Sequence, residues 1–201
     1  MKRFTLLLAI AAIGLTGTAQ ERSSLLFSGD YIYMPGYQLH GTGYSLAYQR
    51  EIKSWFYLEG GASYALASRC LERGNVVNDV QLLDLYYHHA GYNFYGLALS
   101  KIALGSKLEL DLFMGPLLSY QSNVFDVNHY LILEETGSVQ NYPDNIYKNE
   151  AQEGLFFGGK AGFRLAAHMG SDWSIFAGSQ INAVIGAESY LQTGMGICYN
   201  W

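Results

Sequence analysis

Leu108-Glu-Leu-Asp-Leu-Phe-Met-Gly-Pro-Leu-Leu-Ser-Tyr120 is the stretch that decides the fold. Leu108, Leu110, Leu112, Met114 and Leu118 fall on one face of an extended chain, while Glu109, Asp111, Gly115 and Ser119 fall on the other. A period of two is the geometry of a strand, whose successive side chains point to opposite sides. One face is oily and the other carries carboxylates. The stretch from Leu155 repeats the pattern, setting Leu155, Phe157, Ala161, Phe163 and Leu165 against Gly158, Lys160, Gly162 and Arg164. Phe56, Leu58, Ala62, Tyr64 and Leu66 oppose Tyr57, Glu59 and Ser63 in the same way, and Ile175, Ala177, Ile181, Ala183 and Ile185 oppose Ser174, Gln180 and Asn182.

Working outward from these, eight extended segments cover 24–34, 43–51, 55–66, 87–103, 108–120, 154–167, 173–185 and 190–201, and no segment keeps a helical period. The connections alternate in length. Ile52 to Ser54, Leu104 to Lys107 and His168 to Asp172 are tight turns, whereas Arg69 to Tyr86 and Gln121 to Glu153 are long. Short turns at one end and long loops at the other are the wiring of an up-and-down antiparallel barrel that crosses a membrane. The expected fold is therefore all-β, a transmembrane antiparallel barrel of about eight strands. The fourth segment is the least regular, since Asn93, Leu97, Leu99 and Lys101 share a parity, and a bulge is expected there.

Charge separates a barrel in lipid from one in water. Of the 201 residues only 14% are charged while 50% are hydrophobic; a soluble domain averages about 25% charged. Much of what charge there is falls in the expected connections, for example Glu72, Arg73, Asp79, Glu134, Glu135 and Asp144. The polar strand faces hold Gly, Ser, Gln, Asn and five charges of both signs: Glu59, Glu109, Asp111, Lys160 and Arg164. That composition suits a narrow interior closed by ion pairs, with the apolar face turned to hydrocarbon. An interior of this width is filled by its own side chains, so the charges are expected to form a structural plug and not a conduction path.

The N-terminus reads as an address. Lys2 and Arg3 precede the apolar run Phe4 to Leu15, and Gly17-Thr18-Ala19 places small residues before Gln20. This is the pattern of a secretory signal peptide over 1–19, cut after Ala19, leaving 20–201 as the barrel domain. The apolar run is roughly a dozen residues where a spanning helix needs about 20. Lys2 and Arg3 leave with it, so the remaining cations face all 17 Asp and Glu residues; the mature chain is acidic and nucleic acid is excluded as a partner. Cys70 and Cys198 fall at opposite ends of the layout and are not expected to bridge.

Aromatic residues sort by end. Trp55, Trp173 and Trp201 mark the turn end, joined by Tyr199, whereas Tyr33, Tyr44, Tyr64, Tyr120 and Tyr190 lie beside the long connections. Such girdles anchor a protein at the two membrane interfaces. The last segment, Leu191-Gln-Thr-Gly-Met-Gly-Ile-Cys-Tyr-Asn-Trp201, alternates Leu191, Met195, Ile197 and Tyr199 and closes on the aromatic Trp201. It resembles the C-terminal assembly signal of bacterial outer-membrane proteins, carried here by Met195, Ile197, Tyr199 and Trp201. With the leader and the hairpin layout, the whole mature chain resembles the small eight-stranded outer-membrane β-barrel proteins. The resemblance implies a Gram-negative outer membrane, periplasmic termini, insertion by the barrel assembly machinery and contact with outer-membrane lipids. It implies no activity.

Chemistry-bearing patterns are sparse. His88 and His89 are adjacent and so point to opposite faces of a strand, while His40, His129 and His168 are isolated; no metal site is expected. Gly158-Gly159-Lys160-Ala161-Gly162 lacks the spacing of a phosphate loop. His168 with Ser171, and His89 with Ser100, are the combinations a lipid hydrolase would use, but neither supplies an orienting acid. The long loop 121–153, with Asp126, His129, Tyr130, Glu134, Glu135, Tyr142, Pro143, Asp144 and Tyr147, is the part suited to a partner. The expected role is structural or surface-binding through the outward loops, with no cofactor and no catalysis. Two alternatives share the shape: a lipid-modifying enzyme, and an accessory barrel of a conjugation or secretion apparatus.

Overall fold

The computed structural model describes residues 22–36, 38–71, 76–77, 80–82, 85–127, 130–133, 139–140 and 148–201, with side chains at 22–36, 38–69, 87–124 and 153–201. Residues 1–19, expected from the sequence to be a leader, lie outside the described residues. Eight strands form a closed barrel: β1 (Ser23–Met34), β2 (Leu39–Lys53), β3 (Phe56–Leu71), β4 (Leu85–Ala103), β5 (Leu108–Val127), β6 (Lys148–His168), β7 (Trp173–Val184) and β8 (Tyr190–Asn200). Each pairs antiparallel with its neighbours in the chain, and β1 closes on β8 from Ser24↔Asn200 to Tyr33↔Leu191. Closure removes the free edges that lipid would not solvate.

The walls are unequal in height. β4, β5 and β6 run 19, 20 and 21 residues, whereas β1, β7 and β8 run 12, 12 and 11. The long loop expected over 121–153 is therefore shorter than its sequence suggested. β5 continues to Val127 and β6 begins at Lys148, paired with it, because Gln121 and Asn123 keep the inward polar parity of Ser119. Likewise β3 extends to Leu71 and β4 starts at Leu85, which puts Arg69 in a strand. Beyond the barrel, Val76–Val77, Val80–Leu82, Tyr130–Leu133 and Val139–Gln140 form a second, four-stranded sheet. Its central pair joins the β3–β4 connection to the β5–β6 connection.

The barrel wall is inverted relative to a soluble protein. Phe157, Met195 and Met114 are 70%, 72% and 66% exposed, and Leu46, Phe27, Ile175 and Leu165 also face outward. The bulge expected in the fourth segment is absent: β4 keeps one register against β3 and alternates cleanly, with His89, Asn93, Tyr95, Leu97 and Leu99 buried. The apolar residues of that parity gave the segment its irregular pattern because they point in. Among the described pairings the register shifts only between Glu51 and Lys53, at the turn into β3.

The interior is also less polar than its sequence suggested. Leu26, Ala47, Leu97, Leu99, Phe113, Leu117 and Val184 are buried inside the barrel together with Tyr95 and Cys198. A second apolar group, Ile32, Met34, Leu39, Ala65 and Ala67, packs around Tyr190 nearer the loop rim. Room for the large members comes from inward glycines. A Cβ at Gly61 would lie 2.6 Å from the Tyr95 hydroxyl, one at Gly196 would lie 2.5 Å from the Phe176 ring, and one at Gly178 would lie 2.8 Å from Arg164 Cγ. Glycine in this wall is a matter of volume, which is how eight strands enclose aromatic and arginine side chains.

Candidate functional site

The interior charges meet in the half of the barrel nearer the short turns. Glu59 on β3, Asp111 on β5, and Lys160 and Arg164 on β6 are all buried, because each has the inward parity of its strand. Arg164 donates to Glu59 Oε2 at 2.5 Å, and Gln49 Nε2 donates to the same oxygen at 2.8 Å. Arg164 Nε lies 4.0 Å from Asp111 Oδ2. Lys101 Nζ lies 2.8 Å from Glu109 and 3.8 Å from Asp111. The structure brings Glu59, Glu109, Asp111 and Arg164 of the expected cluster together through Lys101, the cation that links Glu109 to Asp111 and was not foreseen, while Lys160 makes no ion pair among the described residues. Parity within β4 was the signal for Lys101. Asp30 was missed too; it turns inward on β1 and accepts from Gln192 at 2.6 Å and from Ser28 at 3.0 Å.

Aromatic faces complete this network. Lys160 Nζ sits 3.6 Å from the centre of the Tyr95 ring, Lys101 4.7 Å from Tyr57, and the Arg164 guanidinium 4.7 Å from Phe113. Lys160 differs from the other cations, since no carboxylate among the described residues comes within ion-pair distance of it; a ring takes that place. Below the network a vestibule of about 500 Å³ opens at the turn rim, lined by Arg22, Lys101, Glu109, His168, Asp172 and Asn200 among others. Above it the space narrows to cavities of about 20 and 30 Å³ beside Arg164, each the size of about one water molecule.

Toward the loop rim the polar groups are neutral. His89 Nδ1 and Asn123 Oδ1 are 2.6 Å apart, Asn93 Nδ2 donates to the Tyr190 hydroxyl at 2.6 Å, and Asn182 Nδ2 donates to Gln192 at 3.2 Å. Gln121 clamps the backbone of Glu188, donating to its carbonyl at 3.0 Å and accepting from its N–H at 3.2 Å. Burial of Glu188 in this β7–β8 connection pushes its carboxyl above the ordinary range. Tyr190 is here only 1% exposed. Its assignment to the outer tyrosine girdle is thus corrected: β8 begins on the inward parity, and the ring fills the barrel.

The histidines and serines take separate places. His88 is exposed and His89 buried, on opposite faces as adjacent strand residues must be. No grouping of His, Cys, Asp and Glu among the described residues has the geometry to hold a metal ion. His168 lies within 2.9 Å of Ser174 and not of Ser171, the serine that sequence proximity suggested. Ser174 is 2% exposed, and Glu109, the nearby acid of the vestibule, is engaged by Lys101. Cys198 is a buried free thiol, and the side chain of Cys70 lies outside the described set. Of the long-loop residues, His129, Glu134, Glu135, Tyr142, Pro143, Asp144 and Tyr147 lie outside the described residues, and Asp126 and Tyr130 are described only as backbone.

Both rims carry aromatics. Trp173 packs on Tyr199 with centroids 4.8 Å apart, Tyr199 stacks with Trp201 at 5.8 Å, and Tyr48 approaches Trp201 at 6.2 Å. Trp55 sits in the β2–β3 turn, exposed beside Phe56. Trp201 exchanges backbone hydrogen bonds with Ser23, at 3.1 and 3.0 Å, tying the end of β8 to the start of β1. Met195, Ile197 and Tyr199 all face outward on β8. At the loop end, Tyr44, Tyr64, Tyr92 and Tyr120 form one cross-strand row over β2 to β5, the middle pair 4.9 Å apart.

An inverted wall around a side-chain-filled interior is an arrangement with known counterparts. The chain has the fold of the small eight-stranded outer-membrane β-barrels. Ail of Yersinia pestis, solved with the heparin analogue sucrose octasulfate, superposes with a TM-score of 0.53 at 14% identity, covering 91% of this chain and 100% of that one. The N-terminal β-barrel domain of Pseudomonas aeruginosa OprF gives 0.50 at 12% identity over 90% and 100% of the two chains. A major outer membrane protein from Thermus thermophilus gives 0.54 at 11% identity over 91% and 100%. No family model and no curated protein matches the sequence. What is shared with these structures is the fold.

Proposed function

We propose that this chain is an outer-membrane protein whose barrel is a closed anchor and whose joined outer connections are its binding surface. It is exported by a leader cut after Ala19, carries both termini on the periplasmic side, and is inserted by the barrel assembly machinery through its C-terminal strand. The observation that carries the reading is the pairing of Val80–Leu82 with Tyr130–Leu133, which makes two separate connections one structure above the barrel. Loops that only cap a pore have no need of a shared sheet. The inverted wall and the aromatic rims support the membrane location.

The partner is expected to be neutral or basic. The connections 72–84 and 128–147 contain Glu72, Asp79, Asp84, Glu134, Glu135 and Asp144 against only Arg73. Ail was solved with a polysulfated ligand; such a ligand is disfavoured here by like-charge repulsion. The absence of catalysis is part of the proposal, supported by the burial of Ser174, whose hydroxyl meets His168. Replacing 128–147 by a short turn, which spares the paired ends at Val127 and Lys148, is expected to leave the barrel folded and abolish binding of whole cells to their target. Retention of binding would refute the loop reading. In planar bilayers the purified protein is expected to give no steady conductance, and persistent nanosiemens-scale steps would refute the closed anchor.

A further inference from the structure

We infer that the vestibule at the turn rim is a binding site for a neutral saccharide, which seats one of its hydroxyls in the small cavity behind it. Lys101, Glu109, His168 and Asn200 line both the vestibule of about 500 Å³ and a cavity of about 20 Å³, so the two adjoin. Gln49, Asp111 and Arg164 also line the inner cavity. They are 1%, 3% and 8% exposed, yet Gln49 Oε1, Asp111 Oδ1 and Arg164 Nε have no hydrogen-bond partner among the described residues. Buried polar atoms left unmatched cost free energy, which a ligand that meets them restores.

The three atoms select the ligand group. Two are acceptors and one is a donor, and the cavity they line is the size of about one water molecule. An ammonium has no lone pair to accept from Arg164, and a carboxylate has no proton to give Asp111 or Gln49. A hydroxyl does both, since it donates once and keeps lone pairs to accept. Charge points the same way. Besides His168, Arg22 and Lys101 face Glu109 and Asp172 around the vestibule, two of each sign, and Lys101 is already 2.8 Å from Glu109. Neither an anion nor a cation gains much from a lining so balanced.

The vestibule sets the body of the ligand. Ser24, Ser106 and Ser171 bring hydroxyls to it, and Trp201 adds an indole. Polar groups that hold hydroxyls, beside an aromatic ring that covers an apolar face, suit a sugar ring. The volume lies within the usual range for small-ligand sites, about 300–1,000 Å³. Above the inner cavity the barrel is filled by Leu97, Phe113 and Leu117 among others, so a ligand enters and leaves by the same rim. The placement of that rim in the periplasm rests on the outer-membrane reading above, and it brings both free saccharides and the ends of cell-wall glycan within reach.

The test is saturation-transfer NMR on the full chain in amine-oxide micelles, which carry no sugar headgroup to compete, with maltose and N,N′-diacetylchitobiose as probes. Both disaccharides are expected to bind at one site, to displace each other, and to bind equally at low and high salt. Tighter binding of the amino sugar identifies cell-wall glycan as the source, and tighter binding of maltose a free glucan. Gly170 lines the vestibule outside the charge network, where a Cβ would meet nothing within 4 Å. G170W is expected to weaken binding about tenfold or more by filling that space, with an unchanged urea midpoint. Gln49→Met removes an inner acceptor and should weaken binding by about fivefold to tenfold. Gln49 also donates to Glu59, so the urea midpoint of this variant separates lost binding from lost fold, and G170W carries the test if the fold is lost. No saturable binding of either sugar, unchanged binding in G170W, or displacement by millimolar phosphate or lysine would each overturn the site. A barrel that inserts into vesicles yet binds neither sugar defeats this inference alone. One that never inserts defeats the membrane reading, while binding in micelles is still measured.

Discussion

In the half of the barrel nearer the turns, the interior is a chain of alternating charges running from Glu59 through Arg164, Asp111 and Lys101 to Glu109, above a vestibule of about 500 Å³. In the half nearer the loops, the corresponding positions are His89, Asn93, Asn123, Gln121 and Tyr190, none of them Asp, Glu, Lys or Arg, and Tyr190 packs with Ile32, Met34 and Leu39. The difference follows access to water. Lys101 and Glu109 line the open vestibule and keep part of their solvation, whereas the upper tier is enclosed by apolar side chains, where amides cost less to bury than ions. One tier is held by ion pairs and the other by packing and shape.

The largest expected effect is therefore in the charged tier. Arg164→Met leaves Glu59 without its ion-pair cation and Asp111 with Lys101 alone, and should cost about 3–5 kcal/mol, measured by urea unfolding in lipid vesicles. Adding Glu59→Gln should recover much of that loss. A cost below about 1 kcal/mol for the single variant would mean the pair is solvated like a surface bridge, and the contrast between the tiers would be lost. In the neutral tier, Tyr190→Phe removes the hydroxyl that accepts from Asn93 and should cost about 1–2 kcal/mol. A null result there would show that the upper tier is held by ring packing alone.

Outside the barrel the effects are smaller. Trp173→Ala removes the ring against Tyr199 and is expected to lower stability by about 1 kcal/mol, an effect that should disappear if Tyr199 has already been replaced by Ala. Smallest is Glu188→Gln. Burial raises this carboxyl above its ordinary value, so the native state holds its proton more tightly than the unfolded chain does. The ionised form then destabilises the fold above the unfolded value of 4.5. The substitution should raise the urea midpoint slightly at pH 7 and change nothing below pH 4.5.

Much of the wall was legible because lipid imposes a simple rule on it. Phe157, Phe163 and Leu165, or Leu112 and Met114, must be apolar, and their alternation survives in the sequence without interruption. The interior obeys no such rule. Leu97 and Leu99 face inward beside Lys101, so β4 looked irregular although its geometry is regular, and Lys101 was hidden with them. Tyr190 was ambiguous because an aromatic near a strand end serves equally well as an interfacial anchor or as filling. The joining of the two connections was illegible for another reason: Val80–Leu82 and Tyr130–Leu133 are far apart in the chain, and their pairing depends on tertiary placement.

All 3 tryptophans lie at the turn rim, so intrinsic fluorescence reads a single boundary of the protein. Quenching by lipids brominated either close to the headgroup or at the acyl-chain ends tests the inverted wall most directly. Strong quenching by the shallow bromines and weak quenching by the deep ones are expected. Equal quenching at both depths, or none from either, would contradict a barrel that meets hydrocarbon with its apolar face and ends at an aromatic rim.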